Sequence, residues 1–435
     1  MQEPTISTLY PFIQSLSPLP LIDYQHHRLP NGLDIYLHQD TSTPLAAVAL
    51  LYRVGSRDES PERTGYAHLF EHLMFTGSEH APDFDAALQA AGGDNNAVTS
   101  TDFTIFYESL PAENLELALW LESDRMQHLK LTKKRLKSER KVVLEEFKES
   151  CVEEPYGDSE HYLMKLAYRD HPYRWPVIGL CQEHIAAAEL SEISSFYDRW
   201  YGPDNAVLSV CGNIDYDETL RLIDKWFGDI ETHATVREKL PPEPAQTAPR
   251  HLTVRAAVPS PAIYLAFRMP GRLDADYYPT DLLSDVLGNG PSARLYRRLV
   301  RDREVLNHVD ASITGYLDPG LFIVEARPAE GVSMEAARTA IWEELAAVRT
   351  ELVSERELQK VKNIIESKFL WSEVNILNRA LDLATFAALD HPEWINNEGD
   401  LYQAVTAEDL RRVAAEMLRP ENCSELVYEV SEEEE

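Results

Sequence analysis

The sequence predicts an α+β protein of two homologous α/β sandwich domains, each a sheet covered on one face by helices. Three observations carry this. The 435 residues exceed what one hydrophobic core usually holds. The stretch THATVREKLPPEPAQTAPRH, residues 232–251, is rich in Pro, Ala and Thr without an apolar period, so it reads as an extended linker dividing 1–231 from 252–435. The flanking halves also repeat. LSEISSFYDRWYGPDNAVLSVCGNI (190–214) and TAEDLRRVAAEMLRPENCSELVYEV (406–430) each read as a capped amphipathic helix, a Pro-Asp-Asn or Pro-Glu-Asn turn and an alternating apolar strand.

The remaining elements follow the same scheme. GLDIYLHQD (32–40) and LAAVALLYRVG (45–55) read as strands joined by a short polar turn, and SPAIYLAFRMPG (260–271) as the second half's counterpart of the latter. Helical periodicity runs over 113–128 and 134–150 in the first half, and over 333–352 and 355–371 in the second. Strands and helices mixed in this order give layered α+β domains.

Composition excludes several function classes. Lys plus Arg number 41 against 73 Asp plus Glu, a net charge of −32 that argues against non-specific nucleic-acid binding and favours neutral or basic partners. No window holds the roughly 18 consecutive apolar residues of a membrane span, and the opening MQEPTISTLYPFIQS lacks a basic start followed by an apolar run. A cytoplasmic or periplasmic location fits equally. Cys151, Cys181, Cys211 and Cys423 form no C-x-x-C pair, which speaks against a zinc ribbon and a disulfide scaffold. His26, His27, His80, His128, His161 and His171 share no ligand spacing and read as surface or packing residues, and the aromatic run HPYRW as fold-stabilising.

The informative motif is HLFEHLMF, residues 68–75. His68 and His72 are i and i+4, so on a helix two imidazoles project from one face and can converge on one ion, with Glu71 beside them. A hydrolytic zinc site needs a third protein ligand and an open position. LKSERKVVLEEFKES (136–150) offers one, because Glu139 and Glu146 lie two helical turns apart on one face while Val142 and Val143 can bury another.

These residues resemble the M16, or inverzincin, metallopeptidase family, whose H-x-x-E-H motif is a known signature. The resemblance covers nearly the whole chain: RVGSRDE, TGYAHLFEHLMFTGS, AAGGDNNAVTSTDFTIFYES, ERKVVLEE, HPYRWPVIGL and FYDRWYGPDNAVLSVCGNID follow in the family's order. It implies a zinc endopeptidase of clamshell architecture that admits unfolded peptides to a chamber. By position, His68, His72 and Glu146 match the zinc ligands and Glu71 the residue that activates water. Glu139 matches a carboxylate behind a ligand histidine, and Asn96 an edge strand that pairs with extended substrate. In the second half, Asp281, Ser284 and Asp285 fall opposite His68, Glu71 and His72, so one zinc ion per chain is expected. Arg294 matches a substrate-facing arginine, but the family's tyrosine is replaced by Asn307, which suggests a heterodimer with a related subunit in preference to a homodimer. Peptide substrates, basic ones favoured by the acidic chain with Asp158 and Glu160 as candidate contacts, are the implied partners. A non-catalytic structural subunit derived from such a peptidase is the alternative.

Overall fold

The computed structural model describes residues 21–431; the opening stretch read for a secretion signal lies outside them. Two mixed sheets organise the chain. The first holds β1 (Gln25–Arg28), β2 (Asp34–Gln39), β3 (Leu45–Tyr52), β4 (Asp94–Thr99), β5 (Thr104–Pro111) and β6 (Ala206–Gly212) in the order β1-β2-β6-β3-β5-β4. The second holds β7 (Arg250–Ala256), β8 (Ala262–Arg268), β9 (Leu306–Ile313), β10 (Leu321–Pro328) and β11 (Cys423–Val430) in the order β7-β11-β8-β10-β9. Without β1, the two orders are the same permutation. In both, the first and last strands pair in parallel and the other neighbours are antiparallel. The internal repeat in the sequence is therefore a repeat of topology.

The repeated helix-turn-strand units show how matching residues do matching work. The helices Leu190–Trp200 and Ala407–Met417 end in Pro-Asp-Asn and Pro-Glu-Asn turns that lead into β6 and β11. The Asn205 amide donates to the Trp200 carbonyl at the helix end (2.8 Å) and to the Arg53 carbonyl after β3 (3.3 Å). Asn422 donates in the same way to Met417 and Arg268, both at 2.9 Å. Each asparagine thus pairs one carbonyl freed at a helix end with one at the end of a neighbouring strand, and fixes where the next strand enters the sheet.

The expectation of one covered face per sheet is corrected by the packing. β3 alternates with period two: Ala46, Val48, Leu50 and Tyr52 face the large first core, under helices of the same half. Ala47, Ala49 and Leu51 face the other way and join Val207 and Cys211 against a helix contributed by the second half, Ile376–Ala388. That helix presents Ala380, Leu383, Ala384 and Ala387 at helical spacing, and its small residues let it lie close to the alanines of β3. The exchange is reciprocal. Leu163, Met164 and Ala167 of the helix Ser159–Ala167, from the first half, cover Ala262, Tyr264, Leu426 and Tyr428 on the back of the second sheet.

The connecting segment is extended, without regular structure from residue 231 until β7 starts at Arg250. It is also pinned to the first half. Arg237 pairs with Asp58 at 2.6 Å, and the Glu243 carboxylate accepts the backbone N–H groups of Arg169, Asp170 and His171 at 2.8–3.0 Å.

Because each half covers the other's sheet, the two should unfold together. Leu383→Ala removes a fully buried side chain from the exchanged helix and is expected to cost about 2–5 kcal/mol. Denaturant unfolding followed by far-UV circular dichroism should keep one transition with a lower midpoint; two separated transitions, one of them unmoved, would contradict the interlock.

Candidate metal centre

The H-x-x-E-H motif lies on the helix Tyr66–Met74, as its spacing predicts. The helix starts after Gly65, whose φ of 86° and whose approach to the Ile178 carbonyl, 2.8 Å from where a Cβ would stand, exclude other residues. Buried Glu59 accepts the Gly65 and Ala67 N–H groups at 2.9 and 2.8 Å, supplying partners to N–H groups that the helix start leaves free. Burial pushes Glu59 up to about 8, and these N–H donors pull against that rise. Leu69, Phe70, Leu73 and Met74 are fully buried and fix the helix's rotation. His68, Glu71 and His72 are thereby turned away from the core. Glu59 had no assigned role in the sequence, though it closes the RVGSRDE run just upstream of the motif.

A second helix, Lys133–Phe147, lies across the first. Thr132 caps its start by accepting the Arg135 N–H at 3.2 Å, and Leu136, Val143 and Phe147 form its buried stripe. Val142, also expected to bury, is 48% exposed, because the apolar stripe is narrower than the pair of valines suggested. The helix continues into one π-helical turn, Lys148–Glu153, which starts two residues after Glu146.

The structure brings His68, His72 and Glu146 together. Nε2 of His68 lies 3.1 Å and Nε2 of His72 3.4 Å from the same Glu146 oxygen, Oε2. The two rings are 4.8 Å apart and nearly perpendicular. One donor atom from each of the three residues falls within 4.8 Å of the others. Two imidazole nitrogens and a carboxylate oxygen, with a solvent-facing side at Glu146, fit zinc's preference for three protein ligands and one open position. Glu145 points outward and is exposed. Glu71 Oε2 lies 3.7 Å from Nδ1 of His68, and Glu139 Oε2 lies 3.9 Å from Nδ1 of His72, longer than a hydrogen bond.

Ionisation reflects this crowding. Burial lowers the His68 pKa, but the hydrogen bond to Glu146 and the nearby Glu71 carboxylate outweigh it and lift the group to about 9. His72 is lowered, by burial and then by the positive charge of His68. Glu146 is lowered by its bond to His68; Glu71 is lowered too, since His68 and Thr99 overcome the burial that raises it. Glu139 is raised by burial.

The other sequence candidates are distributed around this cluster. Asn96 is exposed on β4, an end strand of the first sheet that packs against the histidine helix; its Oδ1 accepts the Ala97 N–H at 2.8 Å. Arg294 is only 5% exposed, and its guanidinium is held by both oxygens of Glu357 at 3.2 and 2.9 Å, so presenting it to a peptide requires its release from that pair. Asn307 is exposed at the start of β9, the strand topologically equivalent to β4. Asp158 accepts a hydrogen bond from Tyr428 of the second half at 2.5 Å, and Glu160 is exposed on the exchanged helix. Asp281 accepts from Tyr402 at 2.6 Å and Asp285 from Asn289 at 2.5 Å. The HPYRW run is fold-stabilising: Tyr173 donates to Asp102 at 2.7 Å and Trp175 to the Ser56 carbonyl at 2.9 Å. His80 and His128, read as surface or packing residues, are exposed and half-buried, and the fold sets His80 beside Asp124, one turn from His128 on the same helix.

Comparison with known proteins identifies the family and the fold. Residues 34–179 match the family model of insulinase (peptidase family M16), and residues 188–365 that of the peptidase M16 inactive domain. The chain is 28% identical over 400 residues to the zinc protease PqqE of Helicobacter pylori, covering 90% of this chain and 89% of that one. It is 30% identical to an uncharacterised zinc protease of Mycobacterium leprae, covering 77% and 75%. The crystal structure of a protease from Helicobacter pylori superposes with a TM-score of 0.88 at 26% identity, over 94% of this chain and all of that one. The periplasmic protease PqqL of Escherichia coli shares the fold at a TM-score of 0.75 and 19% identity, with this chain spanning 95% of itself but 48% of PqqL. With two M16 models matching in succession, and relatives aligned over most of their length, the chain belongs to peptidase family M16.

Proposed function

We propose that this chain is a zinc-dependent endopeptidase that cleaves peptides or unfolded segments, with His68, His72 and Glu146 as zinc ligands and Glu71 as the proton-transferring base. The observation that carries the reading is the convergence of both His Nε2 atoms on one Glu146 oxygen with Glu71 alongside. A zinc ion held there would supply the Lewis acidity that activates water and polarises the scissile carbonyl. Glu71, beside His68 and outside the ligand set, takes the proton of the attacking water and returns it to the departing amine. Glu139 stands 3.9 Å behind the other ring nitrogen of His72 and would have to close by about 1 Å to orient that ring by a hydrogen bond. β4 pairs only with β5 among the described residues, so its outer edge can receive an extended peptide through main-chain hydrogen bonds next to Asn96. A structural subunit derived from a peptidase is the second reading, and the M16 inactive-domain match over residues 188–365 accommodates either.

Glu71→Gln should keep bound zinc while lowering kcat by about a hundred- to ten-thousand-fold, measured by metal analysis alongside cleavage of a fluorogenic peptide. Glu146→Gln should weaken zinc binding and Glu145→Gln should not. A Glu71→Gln protein that loses its metal would make Glu71 a ligand and not the base.

We further infer that the chain works with a related subunit. No helix among the described residues is long and apolar enough to cross a membrane, and PqqL spans two lengths of this chain in one polypeptide. The Asn307 replacement and the capture of Arg294 by Glu357 support a heterodimer in which the partner supplies the groups that steady the carbonyl oxygen. Assayed alone, the chain should be weakly active and stimulated by a co-expressed relative. Strong unstimulated activity that falls on Arg294→Ala would favour the homodimer, provided thermal stability is compared too. Breaking so buried a pair costs about 3–5 kcal/mol by itself.

The net charge of −32 supports a preference for cationic peptides through long-range attraction. Matched basic and acidic peptides should be cleaved at a ratio above one at low salt that shrinks as salt is added. Equal rates at low salt would confine the charge to solubility.

A further inference from the structure

Asp124 and His128 lie one turn apart on the last turns of the helix Leu115–His128. Facing them is the loop that leaves the histidine helix. Its path is fixed: Ser78 bridges to Leu129, the Glu79 N–H donates to the His128 carbonyl at 3.0 Å, and the His80 N–H donates to Asp124 Oδ2 at 3.2 Å. The Ser78 hydroxyl donates to the same Asp124 oxygen. His80 Nδ1 then sits 2.6 Å from Asp124 Oδ1, and the His80 and His128 rings are 5.2 Å apart at 77°. One donor atom from each of the three residues lies within 4.8 Å of the others.

We propose that His80, Asp124 and His128 form a second binding site for a divalent transition-metal ion, which fastens the loop after the histidine helix to the end of the helix Leu115–His128. Two imidazoles and one carboxylate select zinc, cobalt or nickel over calcium and magnesium, which prefer all-oxygen cages. The donors are graded in depth. The Asp124 side chain is 4% exposed and held by the Ser78 hydroxyl and the His80 N–H, whereas the His80 side chain is 56% exposed, so a fixed anchor lies beneath a ligand open to solvent. The fastened loop also contains Gly77, whose carbonyl accepts from Arg135 on the helix that carries Glu146 at 2.5 Å. An ion here would tie together the end of the histidine helix, the Leu115–His128 helix and the start of the Glu146 helix. The chain would then hold two ions where sequence reading expected one.

The test uses the full chain, stripped of metal and dialysed against zinc alone, with bound metal measured by mass spectrometry. The wild type should bind two equivalents, while His68→Gln/His72→Gln and His80→Gln/His128→Gln should each bind one. Zinc should raise the melting temperature of His68→Gln/His72→Gln, and adding His80→Gln and His128→Gln should abolish that rise. Ser78→Ala, which leaves all three donors in place, should weaken the remaining site by about tenfold or more. A His68→Gln/His72→Gln chain that binds no zinc, or a His80→Gln/His128→Gln chain that still binds two equivalents, would overturn the proposal. The peptidase reading is judged separately, by whether His80→Gln/His128→Gln keeps its single ion.

Discussion

The helix Tyr66–Met74 has to satisfy two opposed demands within nine residues. Its apolar stripe must be fully inside, or the first core loses Phe70 and Leu73. Its polar stripe must stay out, with two imidazoles aimed at one point. A rotation of one residue, about 100°, would bury a histidine and expose a phenylalanine. Much of the first half serves to prevent that rotation. Gly65 allows the sharp entry, Glu59 holds the first N–H groups, and the Tyr66 hydroxyl donates to Glu192 at 2.7 Å. Phe75, just past the helix, lies beside the Arg125 guanidinium, which is buried between Phe84 and Phe106 and paired with Glu108 and Glu122. That charged cluster, taken out of water, has geometric specificity as its main return, since exchanging it for apolar side chains need not weaken the fold.

Local order in the chain was readable wherever a short-range pattern set it. The four long helices lie within a few residues of their periodic stretches, and the duplicated turn units were visible because Pro-x-Asn recurs at the same offset from an apolar strand. The paired histidines were visible because i, i+4 is itself a geometric statement. Helical spacing narrowed the third ligand to Glu139 or Glu146 on one face of a later helix, but nothing local says which of the two a remote helix brings to the histidines; the family resemblance selected Glu146. The helix exchange does leave a signal in the sequence. β3 and β6 are apolar at nearly every position, and continuous runs of that kind mark strands covered on both faces. Which helix does the covering is a tertiary fact. The meeting of His80 with Asp124 and His128 depends likewise on a loop's path, with only the Asp-x-x-x-His spacing on the longer helix to hint at it.

The two halves have diverged over a shared scaffold. Asp281 and Asp285 occupy the counterpart of the histidine helix, and both have been absorbed into hydrogen bonds with Tyr402 and Asn289. Arg294 has similarly been turned inward. Burial alone would raise Glu357, yet its bonds to Arg294 and Ser354 hold it at about 2, the signature of a stable internal ion pair. The second half thus spends its polar residues on its own architecture, while the first keeps an acidic and imidazole cluster open to solvent.

Mutual covering of the sheets also orders events during synthesis. The first sheet's last strand ends at Gly212, but the helix that covers its back face ends at Ala388. At translation rates of about 5–20 residues per second, that interval is on the order of ten to thirty seconds. Throughout it, Ala47, Ala49, Leu51 and Val207 have no permanent cover. A nascent chain of this protein therefore leaves that apolar sheet surface uncovered for far longer than a small domain takes to fold.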